Sequence, residues 1–247
     1  MRLFPFLFVV ISIFFSACQQ PAEDPSTVVI DEAIAAQGGD QIEHSTIDFD
    51  FRNRHYRSIR DGGNYQYERI FTIDTIGQVR DVLTNAGLIR YIDDAVMPLS
   101  HKDSAAYSNS VNSVIYFALL PYYLRDPAVK TAYLDSVSIH GQPYDKIKVT
   151  FGQDKGGKDF EDEFVYWFHR KSHTMDYFAY NYQTDGGGAR FRQAFNQRTI
   201  AGIRFSDYYN FEPLNGTLNI ENFDRLFEQD SMKLLSEINT ENIEVNN

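Results

Sequence analysis

The sequence has few of the residues that would point to several common classes of protein. It contains one cysteine in 247 residues, which excludes an intramolecular disulfide framework and a zinc cluster held by thiolates. Lys and Arg number 23 against 34 Asp and Glu, so the net charge is −11, and no basic block is present. Because neutralisation of phosphates provides most non-specific affinity for nucleic acids, a nucleic-acid partner is not expected.

Aromatic residues, by contrast, are abundant. The chain has 20 Phe and 16 Tyr beside a single Trp, and 43% of its residues are apolar. Such a composition excludes a disordered polyampholyte and favours sheets that keep one face in water. At roughly 150 residues per domain, the length allows one large domain or two small ones.

The first 17 residues have the parts of a secretory signal: one positive charge, a short apolar run and small residues before a break. The run is shorter than the roughly 20 residues that a membrane span needs. Cys18 directly follows Ser16 and Ala17, and this segment resembles the bacterial lipobox, although Phe15 stands where that motif normally has Leu. We therefore expect a signal peptide over 1–17, lipidation of Cys18 and a flexible tether over 18–27. Gln19 is not the Asp that retains many such lipoproteins at the inner membrane, so the resemblance implies anchoring in the outer membrane.

Beyond the tether, apolar residues at helical spacing predict a helix over 28–37 that stops at Gly38. Alternation of apolar and polar residues then predicts strands and hairpins from residue 47 to 93. Helices are predicted over 100–120 and near 128–135. Further strands are predicted at 136–140, 143–152, 162–170, 174–183, 189–199 and 202–212. A helical or irregular segment is predicted at 222–227, and a last strand at 238–245. No Pro- or Ser-rich linker divides the chain.

This order predicts a single domain over 28–247 that is mainly β (α+β). Consecutive hairpins around a helical insertion favour one long, curved antiparallel sheet, an incomplete β-barrel wrapped on a few helices.

Four segments carry a family resemblance: 35–39 (Ala-Ala-Gln-Gly-Gly), 165–168 (Val-Tyr-Trp-Phe), 185–192 and 203–208. Over about residues 28–245 the chain resembles a domain-of-unknown-function family of bacterial outer-membrane lipoproteins with the LolA/LolB-like fold. The resemblance implies a half-barrel, a fold that shelters acyl chains in its carrier members. It implies no catalytic residues and no cofactor.

The stretch 185–192 (Asp-Gly-Gly-Gly-Ala-Arg-Phe-Arg) allows two interpretations. Arg190 and Arg192 could contact an anion, since guanidinium groups suit carboxylates and phosphates. Alternatively the glycines form a tight turn with positive φ, and the arginines lie on the wet face of the next strand. A phosphate loop would need a helix after the glycines, where a strand is predicted, so the turn is favoured.

A metal site is not expected. His169 and His173 have the spacing of zinc ligands on a helix, but they fall at a predicted strand end and turn. The carboxylates at 154–163 lack the spacing of an EF-hand loop, and they are typical of a solvated hairpin tip.

The aromatic residues carry the functional expectation. On the strand 189–199, Phe191 and Phe195 share one face, and Arg190, Arg192 and Arg198 share the other. Because burying unpaired arginines is costly, we expect both rings to point to the concave side that the helices cover. The predicted wall of a ligand cavity is completed by rings on neighbouring strands: Phe164, Phe178 and Phe205.

We therefore expect a non-enzymatic envelope lipoprotein that binds a lipid, an acyl chain or another hydrophobic ligand. One alternative is a hydrolase-like envelope enzyme with dispersed Asp, His and Tyr residues, since the sequence has no nucleophile elbow or phosphate loop. Another is a structural or partner-binding lipoprotein whose groove is filled by its own side chains. The membrane, through the lipid anchor, is the one partner that the sequence itself identifies.

Overall fold

A computed structural model describes residues 23–152, 162–183 and 186–246. Within these ranges the chain forms four α-helices and fourteen strands. No helix in the described ranges is both long enough and apolar enough to cross a membrane. The predicted signal peptide, Cys18 and residues 154–161 of the predicted acidic hairpin tip lie outside the described residues.

The first helix, α1 (Pro25–Gln37), is set by its two ends. The Asp24 carboxylate accepts a hydrogen bond from the Ser26 backbone N–H at 2.9 Å, and Pro25 takes the first helical position. Gly38 ends the helix in the left-handed conformation with φ of 92°, as its position predicts. Since the helix begins at Pro25, the last three residues of the expected tether are helical. A one-turn helix, α2 (Gly39–Ile42), follows directly.

The long helix α3 (His101–Ala118) confirms the helix predicted over 100–120. The Ser100 hydroxyl caps it by accepting a 3.1 Å hydrogen bond from the Asp103 N–H. A 3₁₀ turn at Tyr122–Arg125 follows. The Gln37 side chain donates to the Leu120 carbonyl at 2.6 Å and accepts from the Tyr122 N–H at 3.2 Å, so α1 is tied to the segment after α3.

Seven strands form the first sheet, in the spatial order β14-β1-β2-β3-β4-β5-β6, with antiparallel pairing throughout. Their bounds are β1 Thr46–Phe51, β2 Arg54–Asp61, β3 Asn64–Ile73, β4 Gly77–Thr84, β5 Gly87–Ile92, β6 Ala95–Met97 and β14 Glu241–Asn246.

The second sheet has the order β13-β12-β11-β10-β9-β8-β7 and is also antiparallel. Its strands are β7 Val129–Ile139, β8 Gln142–Phe151, β9 Phe164–His169, β10 Met175–Tyr182, β11 Gly188–Ile200, β12 Ile203–Pro213 and β13 Met232–Ile238. A 3₁₀ turn at Ile220–Asn222 and the helix α4 (Phe223–Glu228) lie between β12 and β13.

The helix predicted near 128–135 is wrong, because these residues begin β7. Val129, Thr131 and Tyr133 are half-buried, and they alternate with the exposed Lys130 and Ala132. This period of two is the pattern of a strand, and the pairing of β7 with β8 satisfies its backbone groups.

The chain passes from the second sheet to the first between β13 and β14, through residues 239 and 240. The buried Asp207 carboxylate fixes this crossing by accepting 3.0 Å hydrogen bonds from the Thr240 N–H and from Arg198. The single strand predicted at 238–245 is therefore two strands with a bend between them.

The core has three parts. Each sheet has an inner face, which we define as the face toward α1 and α3, and an opposite outer face. The inner face of the second sheet packs on α1, and the inner face of the first sheet packs on α3. A third cluster lies on the outer face of the second sheet, under α4. The expected fold class, an open antiparallel β-fold wrapped on a few helices, is confirmed, with its strands divided between two sheets.

Candidate binding cavity

A cavity of about 210 Å³ lies where α3 meets the inner faces of both sheets. The first sheet contributes residues of β1 and its following turn, and the second contributes residues of β10, β11, β12 and β13. The lining residues are Phe49, Phe51, Arg52, Ser113, Val114, Phe117, Ala118, Phe178, Arg192, Ser206, Tyr208, Ile238 and Thr240. Rings and aliphatic side chains form most of this wall, so the cavity suits a hydrophobic ligand.

Two apolar stripes on α3 place this helix at the cavity. Val111, Ile115 and Leu119 follow at intervals of four residues and are completely buried against the first sheet. Val114 and Phe117 form a second stripe on the neighbouring face, where they are half-buried and line the cavity. The helix therefore serves both as a core element and as a cavity wall.

A buried charge cluster attaches α3 to the first sheet. The Asp81 carboxylate is completely buried and accepts hydrogen bonds from Arg69 and from Arg90, each with a contact of 2.6 Å. Arg69 also donates to the Ser110 hydroxyl of α3 at 2.5 Å. The Arg90 guanidinium lies 3.5 Å from the ring centre of Tyr107, one turn earlier on the helix. These contacts give α3 a defined position over the sheet.

Phe178 is the central ring of the cavity wall. It stacks on Phe117 of α3 with ring centres 5.9 Å apart, and it meets Tyr208 edge to face at 5.3 Å. Burial raises the pKa of the Tyr208 hydroxyl to about 12, so this group stays neutral at physiological pH.

Arg192 is the polar exception in the wall. It lies directly opposite Phe178 in the pairing of β11 with β10, so both side chains share the inner face. One guanidinium nitrogen, Nη2, donates to the Tyr180 hydroxyl at 2.8 Å, and the guanidinium lies 5.6 Å from the centre of the same ring. The Nε and Nη1 atoms are buried and have no hydrogen-bond partner among the described residues.

The predicted orientation of β11 is therefore wrong. Phe191 is completely buried, but on the outer face, where its ring lies 5.0 Å from Phe227 and 6.4 Å from Phe223 of α4. Phe195 is half-buried and stacks on Tyr209 at 4.1 Å outside the cavity. The prediction assumed that helices cover one face of the sheet, whereas α4 covers the other face as well.

Of the other three predicted wall residues, one lines the cavity and two do not. Phe178 lines the cavity. Phe164 is buried beside it, with its ring 6.3 Å from Phe117, but it is not part of the lining. Phe205 is buried in the core cluster that includes Val111 and Ile115, and it does not line the cavity.

Arg190 and Arg198, unlike Arg192, do not line the cavity. Arg190 lies over the Tyr182 ring at 5.4 Å, and its Nη1 donates to the Ala189 carbonyl. Arg198 is ion-paired with Asp207 at 3.0 Å. An irregularity of the β11–β12 pairing between Phe195 and Arg198 shifts the alternation, so Arg198 does not share a face with Arg192.

The sequence did contain a signal for the wall residues on α3. Val114 and Phe117 fall outside the stripe that Val111 and Ile115 form, and a helix that packs on one surface alone needs no second stripe. The participation of Phe51 and Arg192, in contrast, depends on the relation between the two sheets, which periodicity does not give.

The turn before β11 has the predicted backbone. Gly186 and Gly187 have φ of 90° and 76°, which confirms that this stretch requires positive φ. A Cβ on Gly188 would meet the Tyr182 side chain.

A second depression of about 710 Å³ lies beside the turn between β1 and β2, and its lining includes His55. Both ring nitrogens of His55 are engaged, Nδ1 with Asp50 and Nε2 with Asp48, each at 2.9 Å. No group of three or more His, Cys, Asp or Glu residues in the described ranges could hold a metal ion. The apolar cavity is therefore the better candidate site.

Residues 4–240 match a family of unknown function, DUF6503. The chain belongs to this family. The membership expected from the sequence resemblance is confirmed. No curated protein matches the chain in sequence.

Among solved structures, a DUF1329 family protein from Desulfovibrio piger is similar over 91% of this chain and 92% of its own length, with 13% identity and a TM-score of 0.51. A putative outer membrane lipoprotein-sorting protein domain from Vibrio parahaemolyticus is 11% identical, with 90% and 92% covered and a TM-score of 0.49. A LolA superfamily protein from Nitrosomonas europaea is 10% identical, with 90% and 91% covered and a TM-score of 0.44. With 13% identity, the similarity to the Desulfovibrio protein shows a shared fold and does not show a shared function.

Proposed function

We propose that this protein is an envelope lipoprotein whose half-barrel binds a hydrophobic ligand, a lipid or an acyl chain, in the cavity beside α3. The observation that carries the proposal is the position of the cavity. Rings from both sheets and from α3 line the cavity and leave it unfilled, among them Phe51, Phe117 and Phe178. A well-packed core would close such a space, because interiors are normally packed as densely as organic crystals.

The chemistry of the wall favours binding over hydrolysis. Among the described lining residues, Tyr208 and the two arginines are the ionisable ones, and none of these has an ordinary pKa near neutrality. Burial raises the pKa of Tyr208 further, to about 12. General acid–base catalysis works best with a group that titrates near the operating pH, and this wall supplies none.

The proposed anchor is the lipidated Cys18, which would hold the domain at the outer membrane. The first helix, α1, starts at Pro25, so the folded domain follows Cys18 closely in the sequence. Several acyl chains anchor a protein far more durably than one, since each buried methylene contributes about 0.8 kcal/mol. The domain would then stay beside a membrane that is rich in hydrophobic ligands.

The proposal is tested by filling the cavity. Val114 lines the cavity and is half-buried, so Val114→Phe should place a ring in the space that the ligand needs. We expect the affinity for a fluorescent fatty-acid probe to fall by about tenfold or more, equivalent to at least about 1.4 kcal/mol. The measurement is a fluorescence titration of the mature chain with serine at position 18.

The matched control is Val96→Phe, the same change at a site on β6 that is 64% exposed and outside the cavity. It should leave probe binding as in the parent. Equal binding by all three proteins, with circular dichroism showing that each is folded, would contradict the assignment of the cavity as the binding site.

A further inference from the structure

The unpaired part of the Arg192 guanidinium is the most unusual feature of the cavity. Its Nη2 is satisfied by the Tyr180 hydroxyl, but Nε and Nη1 are buried and meet no acceptor among the described residues. Buried donors without an acceptor are unfavourable, and a charged group makes this worse. The Nε and Nη1 groups of Arg192 therefore need a hydrogen-bond acceptor that a bound ligand would supply.

The charge of the wall has the opposite sign to that of the chain. The chain carries a net charge of −11, yet none of the described lining residues is acidic. Two of them, Arg52 and Arg192, carry positive charge. The Arg52 guanidinium lies 5.1 Å from the ring centre of Phe51. Neither Arg52 nor Arg192 forms an ion pair in the described ranges, although Arg52 also borders the neighbouring depression, whose lining includes Asp50, Glu237 and Glu241.

From these observations we propose that the ligand is a single-chain amphiphile with an anionic head group, and that Arg192 binds this head group. The proposal rests on the proposed function and specifies its ligand class. The hydrocarbon chain would contact Phe178 and Phe117, which stack on each other and line the cavity together with Arg192.

Size limits the ligand to one chain. The cavity of about 210 Å³ is smaller than the roughly 300–1,000 Å³ of pockets that take drug-sized ligands. A lipid with several chains would have to leave most of its apolar surface outside. A single chain would leave less of its apolar surface outside, and its head group at Arg192 would supply the missing acceptor.

A guanidinium group binds carboxylates and phosphates with the same charge-assisted geometry. The head group is therefore specified by its negative charge, and the test separates a fatty acid from a phosphate-headed lipid. Repulsion from the arginines, above all from Arg192, disfavours a cationic head group.

The experiment compares four ligands with the same dodecyl chain: dodecanoate, dodecyl phosphate, dodecanol and dodecyltrimethylammonium. The ionic ligands are used below their micellar concentrations, and dodecanol is used below its solubility limit. Each is titrated by calorimetry into the mature chain with serine at position 18. We expect at least one of the anions to bind roughly tenfold or more tightly than dodecanol, as a charge-assisted hydrogen bond predicts, and the cation to bind most weakly. The anion that binds more tightly shows whether the natural ligand is a fatty acid or a phosphate-headed lipid.

Arg192→Met removes the charge and keeps a chain of similar length. It should abolish the roughly tenfold preference for the anion over dodecanol. Arg190→Met is the matched control, since Arg190 is two residues away on the same strand but lies outside the lining. This control should retain the preference.

Equal binding of dodecanoate, dodecyl phosphate and dodecanol by the parent protein would overturn the role of Arg192 without any variant, and would leave the hydrophobic site standing. A preference for anions that survives in Arg192→Met would overturn it as well. Failure of the proposed function would look different, because none of the four ligands would then bind.

Discussion

At the scale of single residues, Asp50 shows how one carboxylate attaches the last strand. Its Oδ2 accepts a 2.8 Å hydrogen bond from the Asn242 side chain of β14, and its Oδ1 lies 2.9 Å from His55 Nδ1. The Asn242 bond and then the His55 bond lower the pKa of Asp50 below its ordinary value of 3.8. Asp50 therefore supports the pairing of β14 with β1 beside the cavity.

This lowered pKa predicts a pH dependence with a definite sign. A carboxyl whose pKa is lower in the folded state contributes stability above its unfolded value, 3.8, and that stability is lost as pH falls through the folded value. Asp50→Ala should therefore reduce the unfolding free energy by about 1 kcal/mol at pH 7, a small effect because the side chain is 37% exposed. The difference from the parent should shrink as the pH falls below 3.8.

The measurement is urea unfolding of both proteins across this pH range. Asp74→Ala serves as the control, because Asp74 is exposed and has no hydrogen-bond partner in the described ranges. A difference between Asp50→Ala and the parent that stays constant, or grows, toward low pH would contradict the assignment.

For β11, the sequence predicts that neighbouring residues alternate between two faces, but it does not predict which face lines the cavity. Phe191 and Arg192 do lie on opposite faces of β11, as predicted, but Arg198 does not share the face of Arg192, because the strand pairing is irregular between Phe195 and Arg198. Which side faces the cavity depended on α4, whose contact with Phe191 joins residues far apart in the chain. The cost of burying Arg192 was also overestimated, because the Tyr180 hydroxyl and ring stabilise part of its charge.

At the scale of elements, the close contact between the end of α1 and the β11–β12 turn fixes how the helix meets the second sheet. Gly38 ends α1 with φ of 92°, and a Cβ there would overlap the carbonyl oxygen of Gly202. Only glycine meets both conditions, since it accepts the left-handed conformation and allows the two backbones to approach.

Gly38→Ala should therefore reduce the unfolding free energy by about 2–4 kcal/mol, the sum of left-handed strain and overpacking. Gly141→Ala separates the two terms, because Gly141 also has positive φ, 73°, but has no neighbour within 4 Å of its Cβ position. That control should lose only about 1–2 kcal/mol. Similar losses in urea unfolding for both variants would show that the contact with Gly202 is unimportant.

Elements with local signals were predictable, and elements defined by distant contacts were not. The caps of α3 and the stop of α1 at Gly38 are local, because Ser100 and Gly38 act on their own helix ends. β7 was mistaken for a helix, although its alternation at residues 129–133 is visible once the partner strand is known. The bend that separates β13 from β14 depends on Asp207, more than thirty residues earlier.

At the scale of the whole molecule, two seven-stranded sheets and α3 border a mainly apolar cavity in an acidic protein. Lipid anchoring would place this cavity at the membrane. We expect metabolic labelling with a fatty-acid analogue to mark the parent protein and to be lost in Cys18→Ser, which removes the one cysteine of the chain. Ser16→Ala keeps a small residue before the cysteine and should retain the label. Undiminished label on Cys18→Ser would exclude lipidation at this residue.

The most direct test of the central claim is to locate a bound chain by crystallography with a fatty acid that carries bromine at its chain end. We predict an anomalous bromine peak inside the cavity, within contact distance of Phe178 and Val114 or of Phe51. A peak on the outer face of the second sheet, near Phe195, or no peak at concentrations that saturate binding in solution, would contradict the account.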